Sequence, residues 1–228
     1  MAFNSVSFLG HEVGNGLLKP LPGNLKKIMN IETPTTKKQV RSIVGLISYY
    51  GKFVAHLSSV LSPLTELTAK NMPDKVRWSE KCEMALSLVQ NILSNEPILI
   101  LPDFNEHFFV QTDASSYGIG GALLQMRDDL LHPVCFVSRK LLPRERNYST
   151  MEKECLAIVW SVGRLSRYLH GQHFTLQTDH RPLRHLHSSR SANGRLSRWA
   201  LSLQPFSFTV AAIKGATNVF GDFLSRNI

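Results

Sequence analysis

His107-Phe108-Phe109-Val110-Gln111-Thr112-Asp113 has a near-copy 66 residues further on, His173-Phe174-Thr175-Leu176-Gln177-Thr178-Asp179. Each is a short run of apolar and β-branched residues, the pattern of a buried strand, and each ends on an acid. Side by side in one sheet, such strands would bring two carboxylates within a few ångströms. Like charges that close are costly unless a proton or a cation lies between them. A divalent metal is the simplest such cation. An Asp after a strand also starts turns and caps helices, and Asp179 precedes Arg181-Pro182, a tolerated helix start. The company the two acids keep shifts the reading toward chemistry.

Around that pair the chain is 228 residues long, enough for one large domain or two small ones with a sizeable core. It has no run of eighteen apolar residues to cross a bilayer and no charged segment leading an apolar one at the N-terminus, so secretion is not expected. Cys82, Cys135 and Cys155 are odd in number and far apart, which suits neither a disulfide framework nor a zinc site. They are expected reduced and partly buried in an intracellular compartment, cytoplasm or nucleus. Lys and Arg number 26 against 17 acids, a net charge of +9. A basic protein of this size favours polyanions, nucleic acid foremost, although net charge also serves solubility.

Taken in order, Val6 to Gly10 is strand-like and Lys19-Pro20-Leu21-Pro22-Gly23 reads as a loop, so residues 1–30 look too small to fold alone. Thr36 with Gln39 forms a capping-box start. The helix behind it carries Val40, Ile43, Val44, Ile47 and Phe53 at helical spacing. A second helix is expected from an N-cap at Ser79 to Ser94, with Met84, Leu88 and Ile92 on its apolar face. Pro97 and Pro102 bracket the apolar run Ile98 to Leu101 and mark a boundary.

From about residue 104 strands come first. The first ends at Asp113, a second runs through Ala122, Leu123 and Leu124, Asp128-Asp129 turns the chain, and Pro133 to Val137 is a third. Short turns make these an antiparallel meander. Gly118-Ile119-Gly120-Gly121 opens no helix, so a hairpin and bulges explain it better than a phosphate loop. A helix from Met151 to Leu169 is apolar around most of its circumference and packs centrally against the sheet. It carries Glu152 and Glu154 on nearly opposite sides, and periodicity alone leaves open which side meets the strands. The strand ending at Asp179 follows a helix, so it runs parallel to the first. Arg181, Arg184, His185, His187, Arg190, Arg195 and Arg198 cluster before Trp199, a combination suited to phosphate contact and base stacking or to a solvated face. A last strand, Phe206 to Val210, precedes a short helix in which Asp222 stands among apolar neighbours.

Asp113, Glu154, Asp179 and Asp222 thus occupy separate elements in apolar surroundings. Magnesium is held in this manner, by few carboxylates plus water and phosphate, and two such ions assist phosphodiester cleavage. No Ser/His/Asp spacing or Cys/His pair competes. His180 beside Asp179 suits a metal or a proton shuttle, and equally a structural hydrogen bond.

The segments FFVQTDASSYGIGGALLQ, NYSTMEKECLAIVWSV, FTLQTDHRPL, GRLSRWALSLQ and NVFGDFLSR resemble the ribonuclease H domain of gypsy-type LTR retrotransposon Pol polyproteins. VSFLGHEV, LKPLPGN, TPTTKKQVRSIVGLISYYGKFV and WSEKCEMAL are similar to the last palm strand and the thumb and connecting helices of the same reverse transcriptase. The resemblance runs nearly end to end. It implies an α/β fold, a ribonuclease H-like mixed five-stranded sheet over 104–228, preceded by a partial palm over 1–30 and a mainly helical thumb/connection region over 31–100. It implies cleavage of the RNA strand of RNA–DNA hybrids with two Mg2+ ions, Mn2+ being the alternative. Asp113, Glu154, Asp179 and Asp222 fall on the metal-binding acids, which selects Glu154 over Glu152, and His180, Arg181, Arg198 and Trp199 are expected at the substrate. The expected partners are an RNA–DNA hybrid and the remainder of a Pol polyprotein, with no membrane. Gly221 stands where the family has Ala, and the fingers, the polymerase aspartates and the integrase are missing. A fragment without DNA synthesis is therefore expected, with a catalytically silent, nucleic-acid-binding relic as the alternative. A related transposase or integrase fits less well, since those enzymes place their Glu last.

Overall fold

The fold is that of a computed structural model describing residues 5–95, 98–178 and 194–212. The first residues form an antiparallel meander of β1 (Ser5–Phe8), β2 (His11–Gly14) and β3 (Leu17–Pro20). Both connections are two-residue turns, Leu9-Gly10 and Asn15-Gly16, with positive φ at every position. That is the backbone a tight hairpin needs to match strand twist. The strand expected to reach Gly10 therefore stops at Phe8. The expected loop over Lys19–Gly23 is shorter too, because Pro22 opens α1 (Pro22–Met29), where its missing N–H costs nothing.

The capping box at Thr36 is formed as its sequence indicates, starting α2 (Lys37–Tyr49). Thr36 Oγ1 accepts from the Gln39 N–H at 3.3 Å, and Gln39 Oε1 accepts from the Thr36 N–H at 3.0 Å. Phe53 lies beyond this helix, in a 3-10 turn over Gly51–Phe53, but still reaches the core with Val40 and Ile47. Two short helices follow, α3 (Leu57–Val60) and α4 (Ser62–Glu66), and then α5 (Glu80–Ser94). The Ser79 hydroxyl at its start donates to Cys82 Sγ rather than capping the backbone. Its buried face is Cys82, Ala85, Leu86, Val89 and Leu93, whereas Met84 is 67% exposed. The apolar arc of α5 is wide enough for two stripes, and packing against α1 and α4 selects the other one. The run Ile98 to Leu101, read as a boundary, contains β4 (Leu99–Ile100), which is buried and pairs with β3.

The second sheet holds five strands in the order β7-β6-β5-β8-β9. β5 (Phe108–Ala114), β6 (Gly118–Arg127) and β7 (Leu130–Lys140) make the antiparallel meander, turned at Asp128-Asp129 with both φ positive. β8 (His173–Thr178) lies parallel to β5, and β9 (Ser207–Ala212) parallel to β8. This is the mixed five-stranded α/β sheet that the sequence leads one to expect. The helix over it breaks earlier than expected: α7 (Thr150–Arg164) ends at Leu165, and α8 (Ser166–Leu169) redirects the chain so that Leu165 and Leu169 are both buried. A short α6 (Pro143–Arg146) precedes it, and α9 (Gly194–Leu203) packs on it.

Of the glycines of β6, Gly118 closes the β5–β6 hairpin as read from sequence, its carbonyl accepting from the Ser115 N–H at 2.8 Å, whereas Gly120 and Gly121 do different work from the bulge role. The register shift falls at Leu123/Leu124, away from them. A Cβ at Gly121 would lie 2.6 Å from Ser161 Oγ of α7, and one at Gly120 2.6 Å from the His56 ring. Consecutive strand residues point to opposite faces. So α7 covers one face of the sheet and the segment carrying His56 covers the other, and each approach is close enough to require a missing side chain.

Candidate active site

Asp113 is the sixth residue of β5 and pairs with Gly120 of β6, so both lie on the face covered by the His56 segment. Its side chain is 13% exposed, and Oδ2 stands 4.0 Å from His56 Nε2. His56 has φ +49, a left-handed backbone that His tolerates better than most residues. That conformation turns the chain from the 3-10 turn into α3 and aims the ring onto Gly120. On the same face, Gln111 Oε1 and Nε2 lie two residues before Asp113, and Gln111 Nε2 donates to Gln177 Oε1 at 2.8 Å, tying β5 to β8. A cavity of about 10 Å³, room for about one water, is walled by Ala55, His56, Gln111, Asp113, Gly120 and neighbours.

Glu154 sits in the second turn of α7 and is 4% exposed. Ala157, Ile158, Ser161 and Leu165, which share its helical face, are all buried, so this is the face of α7 that meets the sheet. Glu152 is engaged otherwise. Its carboxylate accepts from the Ser149 N–H at 2.9 Å as half of a capping box, and from Arg195 Nη1 at 2.7 Å. Burial, helped by the charges of Glu154 and Glu152, pushes the Cys155 thiol up to about 12, and burial pushes Cys135 up to about 11. Thiols held protonated in this way are poor nucleophiles.

Of the remaining residues singled out from sequence, Arg198 is exposed on α9, with Nε donating to the Gly194 carbonyl at 3.1 Å. Trp199 is half-buried against the apolar side chains under α7, with its ring 6.1 Å from Tyr148. Arg195 stacks over that same Tyr148 at 4.0 Å. Asp179, which follows the last residue of β8, lies outside the described residues, as do His180, Arg181, the rest of the arginine cluster to 193, and Asp222. Among the described residues no three His, Cys, Asp or Glu side chains gather as a metal site. Asp113 and Glu154 supply oxygen donors, the kind a hard cation takes. Sequence reading missed His56, since a lone His before a helical turn carries no local signal. The GIGG run was the available hint that something packs tightly there.

Residues 103–206 match the family described as "RNase H-like domain found in reverse transcriptase". The chain is 38% identical over 220 residues to the retrovirus-related Pol polyprotein from transposon 297 of Drosophila melanogaster, covering 96% of the chain and 20% of that protein. It is 34% identical over 233 residues to the Pol polyprotein from transposon gypsy of the same organism, covering 97% and 22%. Residues 103–206 thus carry an RNase H-like domain, and the chain is similar along nearly its whole length to retrotransposon Pol polyproteins. It spans about a fifth of the length of these curated relatives. The fold agrees: a foamy viral protease-reverse transcriptase solved with dsDNA superposes at a TM-score of 0.79, with 19% identity over 93% of this chain and 45% of that one. The same viral protein solved with an RNA/DNA hybrid gives 0.77, with 20% identity over 95% and 30%.

Proposed function

We propose that this retrotransposon Pol segment is a metal-dependent endoribonuclease that cuts the RNA strand of RNA–DNA hybrids. The observation that carries the proposal is the recession of two carboxylates in an RNase H-like domain, Asp113 near the end of β5 with its side chain 13% exposed and Glu154 on α7 at 4%. Holding charged oxygens in such apolar surroundings is costly, and binding a cation offsets that cost. Asp113, Glu154, Asp179 and Asp222 would hold the ions, Mg2+ first and Mn2+ as the substitute. Bound by these residues, divalent cations would supply Lewis acidity to an attacking water and to the leaving oxygen.

The protein's own part is to orient and exclude. The Gln111–Gln177 hydrogen bond fixes the spacing of β5 and β8 immediately before Asp113 and Asp179 in the chain. The His56 ring and Gly120 close one side of Asp113, which restricts the rotamers of its carboxylate. Arg198, with His180 and Arg181, is assigned to the substrate backbone, and Trp199 to its edge. The rest of a Pol polyprotein is the expected partner, with residues 31–100 as its thumb/connection region.

The test is a labelled RNA–DNA hybrid incubated with the purified chain in Mg2+, in Mn2+ and in chelator. Cleavage should require the metal, and Asp113→Asn should abolish it while leaving the circular dichroism spectrum unchanged. An Asp113→Asn variant that cuts as fast as the parent would refute the site. A parent chain that binds hybrid but never cuts it would leave a nucleic-acid-binding relic instead.

A further inference from the structure

A cleft of about 1030 Å³, whose lining includes neither Asp113 nor Glu154, opens between the first meander, α2, β7 and the α7–α8 junction. Its walls carry Lys52, Lys140, Arg164 and Arg167. Among its described lining residues there is no Asp or Glu. Lys140 is partly offset, with Nζ 3.9 Å from Glu66 Oε1 and donating to the Ser62 carbonyl at 3.1 Å. Lys52, Arg164 and Arg167 enter no ion pair among the described residues. Burial pulls the Lys52 ammonium below its ordinary value, and Arg167 adds to that pull. Like charges gathered in a half-buried cleft raise its free energy, and an anion seated there lowers it.

Between the cations stand aromatic and apolar surfaces: Tyr49, Trp160 and Tyr168, with Phe8 at 62% and Leu9 at 70% exposed at the lip. Two polar atoms in the walls, His11 Nε2 and Ser58 Oγ, have no hydrogen-bond partner among the described residues. Cations that track a phosphate backbone, interleaved with rings on which bases stack, are the composition of a single-strand groove. A duplex would meet this cleft with its phosphates alone and leave its aromatic walls bare, because its bases are already stacked on one another.

We infer that this cleft binds a single strand of nucleic acid, with its phosphates on Lys52, Arg164 and Arg167 and its bases against Tyr49, Trp160 and Tyr168. It is a binding site separate from the proposed hydrolytic one and independent of whether that site cuts. A strand held there would be one that has parted from its complement, at an end or gap of a hybrid.

The probe is a fluorescein-labelled 12-nucleotide pyrimidine RNA, followed by anisotropy against the full chain at several salt concentrations. Arg164→Gln combined with Arg167→Gln should weaken binding about tenfold at low salt. It should also flatten the dependence of log K on log salt by about 1.4, roughly 0.7 for each lost phosphate contact on a single strand. Hybrid cleavage by the same variant should stay at the parent rate, and Asp113→Asn should bind the 12-mer as the parent does. Unchanged 12-mer affinity in the double variant overturns the proposal. So does an equal loss for a blunt RNA–DNA duplex, which would make these arginines part of the hybrid track, and so does binding of mononucleotide as tight as of the 12-mer. If the double variant loses its folded spectrum, Arg164→Gln alone at its exposed position is read instead. A threefold loss there supports the groove and no loss removes it. Failure of the nuclease reading leaves every one of these binding outcomes intact.

Discussion

Gly120 and Gly163 show how much a single missing side chain depends on where it is missing. At Gly120 a methyl group would meet the His56 ring at 2.6 Å, and that ring is held by a left-handed backbone and cannot step back freely. Gly120→Ala is expected to destabilise the fold by about 1–3 kcal/mol, as overpacking does, visible as a lower melting temperature. It should also displace His56 from Asp113 and so slow hybrid cleavage in the remaining folded protein. Gly163 lies near the end of α7 with nothing within 4 Å of an added Cβ. There Gly163→Ala should stabilise by about 0.5–1 kcal/mol, the ordinary helical gain of Ala over Gly. If both substitutions shift the melting temperature alike, the close approach at Gly120 is not what makes it glycine.

The elements are held at their ends as well as along their faces. Ser149 accepts from the Glu152 N–H at 3.2 Å while Glu152 reaches back to Ser149, and Glu152 also fastens α9 through Arg195. Ser149→Ala should cost about 1 kcal/mol, the usual value of an N-cap, measured by thermal or denaturant unfolding. Glu152→Ala removes the cap partner and the Arg195 pair together, so it should cost more than Ser149→Ala. Arg195 is 37% exposed at its side chain, which limits that pair to the small contribution of a solvated ion pair. Equal losses would mean that the docking of α9 does not pass through Glu152.

For the whole molecule, two buried groups make stability depend on pH in the same direction. Burial raises the Glu145 carboxyl, but hydrogen bonds from Arg139 at 2.6 Å and from the Leu142 N–H, with the Arg139 charge, outweigh it and hold it below 4.5. A carboxyl depressed on folding contributes stability above its unfolded value, which is lost as pH falls through the folded one. His11 is depressed below 6.5, first by burial and then by Lys52, so folding prefers it neutral. Its contribution is likewise present above the unfolded value and declines as the pH drops beneath it. The melting temperature should therefore fall in two stages on acidification, beginning below about pH 6.5 and again below about pH 4.5. His11→Phe should remove the first stage, and Glu145→Gln the second. A melting temperature independent of pH between 7 and 4 would contradict both assignments.

Local pattern was enough to place the strands around Phe108, Ala122 and Phe174, the capping box at Thr36, and the parallel pairing of β5 with β8, because strand and helix periods are written in adjacent residues. The burial of the Glu154 face and the exposure of Met84 were not legible there. Both helices are apolar over arcs wide enough for two orientations, and only the neighbouring sheet or helix selects one. The contact of His56 with Gly120 beside Asp113, and the gathering of Lys52, Arg164 and Arg167 in one cleft, belong to the tertiary structure alone. They join segments far apart in the chain, and no periodicity along the sequence records which distant surfaces will close on one another.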